Sequence, residues 1–163
     1  MAKVILVLGS DMSTDIIYPG RYMATVLPSE TPQYAFADLP IHKRLNAGEI
    51  PPGSVVVAGK NFGCGSSREQ AASCLKGWEL RVVAKGFARI FLQNAVNLGL
   101  DLVICPEIEA EEGDELEIAG EEVIDRSNGR RFAITPLPKA RQAIIDAGGL
   151  IPYTRRLLLE EKG

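Results

Sequence analysis

The clearest evidence for the fold is in residues 55–76, VVVAGKNFGCGSSREQAASCLK. It opens with a β-branched run at residues 55–58, which is typical of a short buried strand. A glycine-rich segment at residues 63–69 follows, and the pattern then predicts a helix from about Ser67 to Lys76. A strand, a glycine-rich turn and a helix in this order form the first half of a strand–helix–strand crossover, so a parallel sheet is expected.

The segments on both sides continue this alternation of strands and helices. Continuous apolar runs predict buried strands at residues 3–8, 80–84 and 100–105. Apolar residues at helical spacing predict a helix over residues 87–97, which Gly99 ends. These elements predict the core of an α/β domain.

The last third of the chain has the pattern of antiparallel strands. Two turn signals, Gly120-Glu121 and Asn128-Gly129, separate runs with strand character, and a helix pattern follows them. The strand runs are residues 115–119, 122–126 and 131–134, and the helix pattern covers residues 138–147. The sequence thus predicts an α/β fold with a mainly parallel core sheet, crossover helices and C-terminal β-hairpin additions.

The long segment at residues 24–53 contains five prolines and few periodic signals. We predict an irregular loop with one short helix near residues 33–38, inside a single domain that spans residues 1–163. Because long loops in compact domains are usually functional or mobile, we expect this loop to be mobile in the isolated chain.

Composition restricts the classes of partner. The 163 residues carry a net charge of -3 and 46 % hydrophobic side chains, so a globular domain is expected and a nucleic-acid partner is not. No apolar run reaches about 18 residues, so no membrane span is expected. The apolar run near the N-terminus fits a buried strand better than a signal peptide, and a cytoplasmic location is therefore predicted.

Cysteine and histidine are too few for a metal centre built from this chain alone. The three cysteines are Cys64, Cys74 and Cys105, none of them in a C-x-x-C pair, and His42 is the single histidine. We therefore expect no zinc site and no complete cysteine-ligated iron–sulfur cluster on this chain. Any chemistry must use other groups or borrow them from a partner.

The glycine-rich segment has the features of an anion site. Gly63 and Gly65 allow positive φ and a close backbone approach, and the following helix presents free N–H groups. Arg68 can hold a carboxylate through two parallel hydrogen bonds. The segment is neither a P-loop nor a dinucleotide fingerprint, because it lacks the Gly-Lys-Ser/Thr ending and the third glycine. A capping box with Ser66 as N-cap and Glu69 at N3 explains the same residues, so both interpretations stay open.

Three motifs occur in a fixed order along the chain. They are residues 13–23 (STDIIYPGRYM), 61–71 (NFGCGSSREQA) and 84–91 (AKGFARIF), the last followed by Asn94 and Asn97-Leu98-Gly99. In order and spacing they resemble the swivel domain of the aconitase superfamily, most closely its 3-isopropylmalate dehydratase small subunits. The resemblance is strong over residues 3–106 and implies the swivelling β/β/α domain of that family.

The resemblance implies a hydro-lyase that dehydrates and rehydrates a small hydroxy-dicarboxylate. It implies that the chain isomerises 2-isopropylmalate and 3-isopropylmalate in leucine biosynthesis, as the small subunit of a heteromer. A four-iron four-sulfur cluster is then expected on the large subunit, where it binds the leaving hydroxyl. This agrees with the small number of cysteines on this chain.

The resemblance also assigns the site residues. Ser66 matches the family's general base, and Asp15 matches its active-site aspartate. Ser67 and Arg68 are implied to bind a substrate carboxylate. Arg21 is expected either to bind substrate or to form an exposed salt bridge.

The resemblance implies that the loop after Tyr22 helps to select the substrate. Its side chains Ala24, Val26 and Leu27 suit an apolar substituent, and no arginine follows until after His42. An extra carboxylate would be left unpaired in such a pocket, so isopropylmalate is favoured.

Three alternatives stay open for the function. The first is a 2,3-dimethylmalate or citraconate-type hydro-lyase, and the second is a homoaconitase. The third is a carboxylate-binding module that has no partner subunit. One departure from the family pattern is Tyr18, which stands where these small subunits usually have isoleucine, so the packing of the Asp15 loop is expected to differ.

Overall fold

In the computed structural model, which describes residues 1–162, four parallel strands form the first half of the sheet. Their bounds are β1 (Ala2–Val7), β2 (Val55–Ala58), β3 (Arg81–Ala84) and β4 (Leu102–Ile104). They lie side by side in the order β4-β3-β2-β1, and each neighbouring pair is parallel. The parallel core that the apolar runs predicted is thus confirmed.

The helices of the crossovers pack on one face of these strands. They are α1 (Thr14–Ile17), α2 (Ile41–Asn46), α3 (Glu69–Gly77) and α4 (Arg89–Leu98), with α5 (Lys139–Asp146) and α6 (Leu150–Lys162) after the sheet. Each crossover steps from one strand to its next neighbour in the same direction, and right-handed crossovers then place their helices on the same side. Short 3-10 turns at Gly20–Tyr22 and Thr31–Tyr34 complete the long first crossover.

The second half of the sheet is antiparallel. Its strands are β5 (Glu115–Ala119), β6 (Glu122–Asp125) and β7 (Arg131–Ala133), and β5 pairs with β1. An antiparallel bridge between Ile104 and Thr135 connects the end of β4 with the residues after β7. The seven-stranded sheet therefore curls until its two outer strands meet, and the predicted C-terminal hairpin additions are confirmed as part of this curl.

Two hydrophobic clusters follow from the alternation of side chains along the parallel strands. Val55 and Val57 point to the inside of the curl, where they pack with Phe132 and the other apolar side chains of the antiparallel half. Val56 and Ala58 point to the opposite face, under the helices. All four are buried, so both faces of β2 are covered by protein.

The short helix predicted near residues 33–38 is displaced, because a 3-10 helix covers Thr31–Tyr34 and ends before Phe36. Phe36 has a positive φ of 50°, which no helix interior accepts, and the helix α2 begins only after Pro40. Phe36 and Leu45 are buried in the cluster under the helices, so the middle of the 24–53 loop is anchored to the core. Its mobility and the single-domain organisation of residues 1–163 stay predictions.

Candidate active site

The candidate site lies where two loops leave the carboxyl ends of β1 and β2, the edge at which parallel sheets usually bind ligands. The two loops pair as a short parallel bridge between Ser13 and Cys64. The Thr14 N–H donates to the Cys64 carbonyl at 2.8 Å, and the Gly63 N–H donates to the Met12 carbonyl at 2.8 Å. These bonds hold the motif around residues 13–23 against the glycine-rich segment.

The glycine-rich turn requires its glycines. Gly63 and Gly65 have φ values of 85° and 95°, in the left-handed region that other residues rarely adopt. A Cβ on Gly63 would also lie only 2.3 Å from Cγ of Phe91, so the turn packs directly on helix α4. The backbone therefore follows a path that a side chain at this position would block.

The capping-box interpretation is wrong. The N-cap of α3 is Arg68, in an extended conformation and without a side-chain hydrogen bond to the helix, and Glu69 is the first helical residue rather than N3. The helix thus begins two residues later than the predicted start at Ser67. Ser66 and Ser67 precede the helix and are exposed. Their hydroxyls are consequently not used in capping.

Asp15 and Arg68 form an ion pair across the two loops. Arg68 Nη1 donates to Asp15 Oδ1 at 2.9 Å, and the Gly20 N–H donates to the same oxygen at 2.7 Å. The Gly20 hydrogen bond, followed by the Arg68 hydrogen bond and charge, lowers the pKa of Asp15 below its ordinary value. Asp15 is 62 % exposed and Arg68 only 16 %, so the pair is a partly buried cation with its carboxylate at the surface.

Arg68 has hydrogen-bond donors to spare. Nη1 also donates to the Tyr18 carbonyl at 3.3 Å, and this fixes the guanidinium between the two loops. Within residues 1–162, its Nε is buried and has no hydrogen-bond partner. Nη2 lies close to Gly20, where a Cβ would come within 3.1 Å of it, so the missing side chain at this position leaves room for the guanidinium. A planar cation held in one orientation with spare donors suits a carboxylate.

Thr14 is a site residue that the sequence-based assignments missed. Its buried hydroxyl donates to the Ser66 carbonyl at 3.1 Å and lies 3.3 Å from the Ser66 hydroxyl. The Thr14 hydroxyl thereby fixes the backbone of Ser66, and it is also the polar group that contacts the Ser66 hydroxyl. The only sequence signal was its place beside Asp15 in the first motif.

The other assigned residues lie on the neighbouring loop. Arg21 forms an ion pair with Asp38, donating to Oδ1 at 2.5 Å and to Oδ2 at 3.1 Å, and its guanidinium stacks 4.7 Å from the Tyr22 ring centroid. This is the exposed salt bridge expected as the alternative to substrate binding. Of the predicted specificity residues Ala24, Val26 and Leu27, the last two are 63 % and 55 % exposed. The structure therefore brings Asp15, Ser66 and Arg68 together and leaves these side chains open to solvent.

Within residues 1–162, no three histidine, cysteine, aspartate or glutamate side chains come together as metal ligands. Burial raises the pKa of the Cys105 thiol to about 11 and also raises that of Cys74, so both are poor thiolate ligands. The Nδ1 atom of His42 contacts the Ala35 carbonyl and the Asn46 side chain. Among the described helices, none combines the length and apolarity needed to cross a bilayer.

An α/β sheet whose strand-end loops hold a partly buried arginine beside two exposed serines defines a candidate carboxylate-binding domain.

Similarity to known proteins identifies the family within this class. The aconitase C-terminal domain family model matches residues 17–105. A 3-isopropylmalate dehydratase small subunit from Methanosarcina mazei is 43 % identical over 156 residues, which cover 93 % of this chain and 94 % of that protein. An isopropylmalate/citramalate isomerase small subunit from Methanocaldococcus jannaschii is 40 % identical over 161 residues, which cover 94 % and 93 %.

A crystal structure agrees with these sequence relatives. A 3-isopropylmalate dehydratase from Methanocaldococcus jannaschii matches with a TM-score of 0.85 at 36 % identity, over 99 % of this chain and 98 % of that one. The chain belongs to the aconitase C-terminal domain family, in its branch of 3-isopropylmalate dehydratase small subunits. The family, the fold and the enzyme class, a hydro-lyase subunit, are thus confirmed as the sequence predicted them.

Proposed function

We propose that this chain, together with a large subunit, interconverts 2-isopropylmalate and 3-isopropylmalate by dehydration and rehydration in leucine biosynthesis. The proposal rests above all on the Asp15–Arg68 ion pair beside Ser66, in a chain 43 % identical to a 3-isopropylmalate dehydratase small subunit. We also propose a cytoplasmic location, where a subunit of a leucine-biosynthesis hydro-lyase would act.

A four-iron four-sulfur cluster is proposed on the large subunit. The cysteines of this chain do not suit such a group, because burial raises the thiol pKa of Cys74 and Cys105. Within residues 1–162, Cys64 belongs to no group of three or more side chains that could ligate a metal. When bound, the cluster supplies a Lewis acid for the substrate hydroxyl. The chain described here then contributes the carboxylate site and the base.

We propose that Arg68 and Ser67 bind one substrate carboxylate. Arg68 Nη1 is engaged by Asp15 and the Tyr18 carbonyl, so the carboxylate is expected to accept from Nη2 first. The exposed Ser67 hydroxyl is free to donate a further hydrogen bond. Because the guanidinium is already oriented, little side-chain entropy is lost when the substrate binds.

We propose Ser66 as the base that takes the proton from the substrate C–H and returns it on rehydration. A serine alkoxide needs stabilisation, and two groups of this chain are available for it. They are the N–H groups at the start of α3 and the charge of Arg68. The Thr14 hydroxyl donates its single hydrogen to the Ser66 carbonyl, so it accepts from the Ser66 hydroxyl. Asp15 holds Arg68 in place, and it can also relay protons at the surface.

Reconstitution tests the proposed function. The purified chain is mixed with its large subunit, and turnover of 3-isopropylmalate, dimethylmalate, citraconate and homocitrate is measured. We expect 3-isopropylmalate to give the highest kcat/KM and homocitrate the lowest, because Ala24, Val26 and Leu27 offer no cation for a third carboxylate. A preference for citraconate or homocitrate would mean that 3-isopropylmalate is not the preferred substrate. Tight dicarboxylate binding by the isolated chain without turnover by the mixture would favour a binding module instead.

A further inference from the structure

Tyr18 is the largest side chain with no exposed surface, and it lies between the candidate site and the specificity residues. Its hydroxyl donates to the Tyr22 carbonyl at 2.9 Å and to the Thr25 carbonyl at 3.2 Å. A tyrosine hydroxyl has one hydrogen, so the two carbonyl oxygens share it. One buried group thus holds both ends of the Tyr22–Thr25 turn, directly beside Val26.

The ring of Tyr18 is itself held in place. It meets Tyr34 edge to face at 6.2 Å between ring centroids, and Tyr34 in turn stacks on Tyr22 at 4.0 Å. The Gln70 side chain donates to the Met23 carbonyl at 3.1 Å, which ties the same turn to helix α3. The turn is therefore fixed through its backbone, while the side chains that follow it stay exposed.

The other end of Tyr18 reaches the carboxylate site. Its main-chain carbonyl accepts a hydrogen bond from Arg68 Nη1 at 3.3 Å. The same residue thus contacts the proposed carboxylate-binding cation through its backbone and the start of the specificity loop through its hydroxyl. A shift of Tyr18 would change the distance between these two parts of the substrate pocket.

We propose that Tyr18 is a positioning residue that sets the place of the Ala24, Val26 and Leu27 side chains relative to Arg68, and so determines which alkyl group the enzyme accepts. This inference rests on the proposed function for its kinetic consequence, but its structural part does not depend on the substrate. Tyr18→Phe removes the hydroxyl and keeps the ring. The Thr25 carbonyl then loses its hydroxyl donor, and the Tyr22 carbonyl keeps only the Thr25 N–H at 3.0 Å. Because both carbonyls are partly buried, the turn is expected to move or loosen.

The matched control is Tyr34→Phe. Tyr34 belongs to the same aromatic cluster, but among the described residues its hydroxyl makes no recorded hydrogen bond. Hydrogen–deuterium exchange of the full-length isolated chain then tests the structural part. We expect amides of residues 22–30 to exchange about tenfold faster in Tyr18→Phe and unchanged in Tyr34→Phe. Equal exchange in Tyr18→Phe and the wild type would overturn the proposal.

Kinetics of the reconstituted heteromer test the specificity part. For Tyr18→Phe we expect KM for 3-isopropylmalate to rise about tenfold while kcat stays within about threefold, because the base and Arg68 are untouched. The kcat/KM for the smaller citraconate should fall less, so the ratio of kcat/KM for 3-isopropylmalate to that for citraconate should decrease in Tyr18→Phe. Tyr34→Phe should leave this ratio unchanged. Faster exchange with an unchanged ratio would overturn the specificity role. If the wild-type heteromer itself does not turn over 3-isopropylmalate, the proposed function fails while the exchange result still decides the role of Tyr18.

Discussion

The residues 63–68 and the residues 24–27 lie on neighbouring loops, but the protein holds them in opposite ways. In the glycine-rich turn the Arg68 side chain itself is fixed, since it is bound to Asp15 and the Tyr18 carbonyl. In the 24–27 segment the backbone is held by the Tyr18 hydroxyl, while Val26 and Leu27 stay exposed. In the first region the guanidinium of Arg68 is fixed, whereas in the second only the backbone is fixed and the Val26 and Leu27 side chains are exposed.

Under the proposed function, this difference corresponds to two roles: catalysis by the glycine-rich turn and substrate selection by residues 24–27. Groups that act on the reacting atoms need a defined geometry, because small misplacements reduce the rate strongly. Apolar side chains that contact an alkyl group discriminate between substrates by shape alone. Each methylene then changes the free energy of binding by only about 1–3 kcal/mol. Substitutions in the turn should therefore have large effects on rate or folding, and those in the 24–27 segment smaller effects on preference.

The largest effect is expected for Ser66→Ala. Loss of a general base typically reduces kcat by about 10²–10⁴-fold, and the substitution removes only an exposed hydroxyl, so the fold should be retained. The measurement is kcat of the reconstituted heteromer on 3-isopropylmalate, with the melting temperature of the isolated chain as control. Activity within a few-fold of the wild type would exclude Ser66 as the base.

A pair of glycine substitutions compares the packing of the two loops. Gly63→Ala combines left-handed strain with overlap on Phe91, so a loss of about 3 kcal/mol or more in the free energy of unfolding is expected. Gly48, in the long loop, has a φ of 73° and nothing within 4 Å of a Cβ, so Gly48→Ala should cost only about 1–2 kcal/mol. Urea unfolding of the isolated chain measures both. Equal losses would mean that the turn is not packed more tightly than the loop.

A smaller change is expected for Ala24→Arg. A cation in the exposed segment gives a partner to a third carboxylate, so the ratio of kcat/KM for homocitrate to that for 3-isopropylmalate should rise about tenfold. Ala24→Gln has a similar length without the charge and serves as control. If both variants change the ratio equally, size rather than charge is responsible.

The smallest effect concerns pH. Because the folded state lowers the pKa of Asp15, its ion pair stabilises the protein above the ordinary aspartate range and is lost as the pH falls through the lowered pKa. The stability difference between wild type and Asp15→Asn should therefore be constant above about pH 5 and shrink below about pH 4. Urea midpoints from pH 7 down to pH 3 measure it. A difference that grows on acidification would contradict the assigned direction.

The central strands could be predicted from sequence because both faces of β2, and nearly all of β3, are buried, which leaves continuous apolar runs such as residues 55–58. The hairpin followed from its alternation and its glycine turn. The location of the site, by contrast, followed from the resemblance of three motifs. Residue patterns alone left the anion site and the capping box equally open.

Long-range contacts explain what the sequence did not predict. Thr14, 52 residues earlier, donates to the Ser66 carbonyl, and the N-cap of the helix is Arg68 rather than Ser66. The pairing of Arg68 with Asp15 spans 53 residues and has no local signal. Helix α6 was missed because several of its apolar side chains, among them Ile151 and Leu159, are exposed and form no single buried stripe.

The curl of the sheet has a consequence for the chain before it meets a partner subunit. In a flat seven-stranded sheet, β4 and β7 would each present free N–H and C=O groups to other molecules, which is the usual route to edge-to-edge aggregation. Here both outer strands have only three residues, and the Ile104–Thr135 bridge joins the region of one to the region of the other. A subunit synthesised separately from its partner can therefore persist in a crowded cell with little strand edge available for pairing with its own copies.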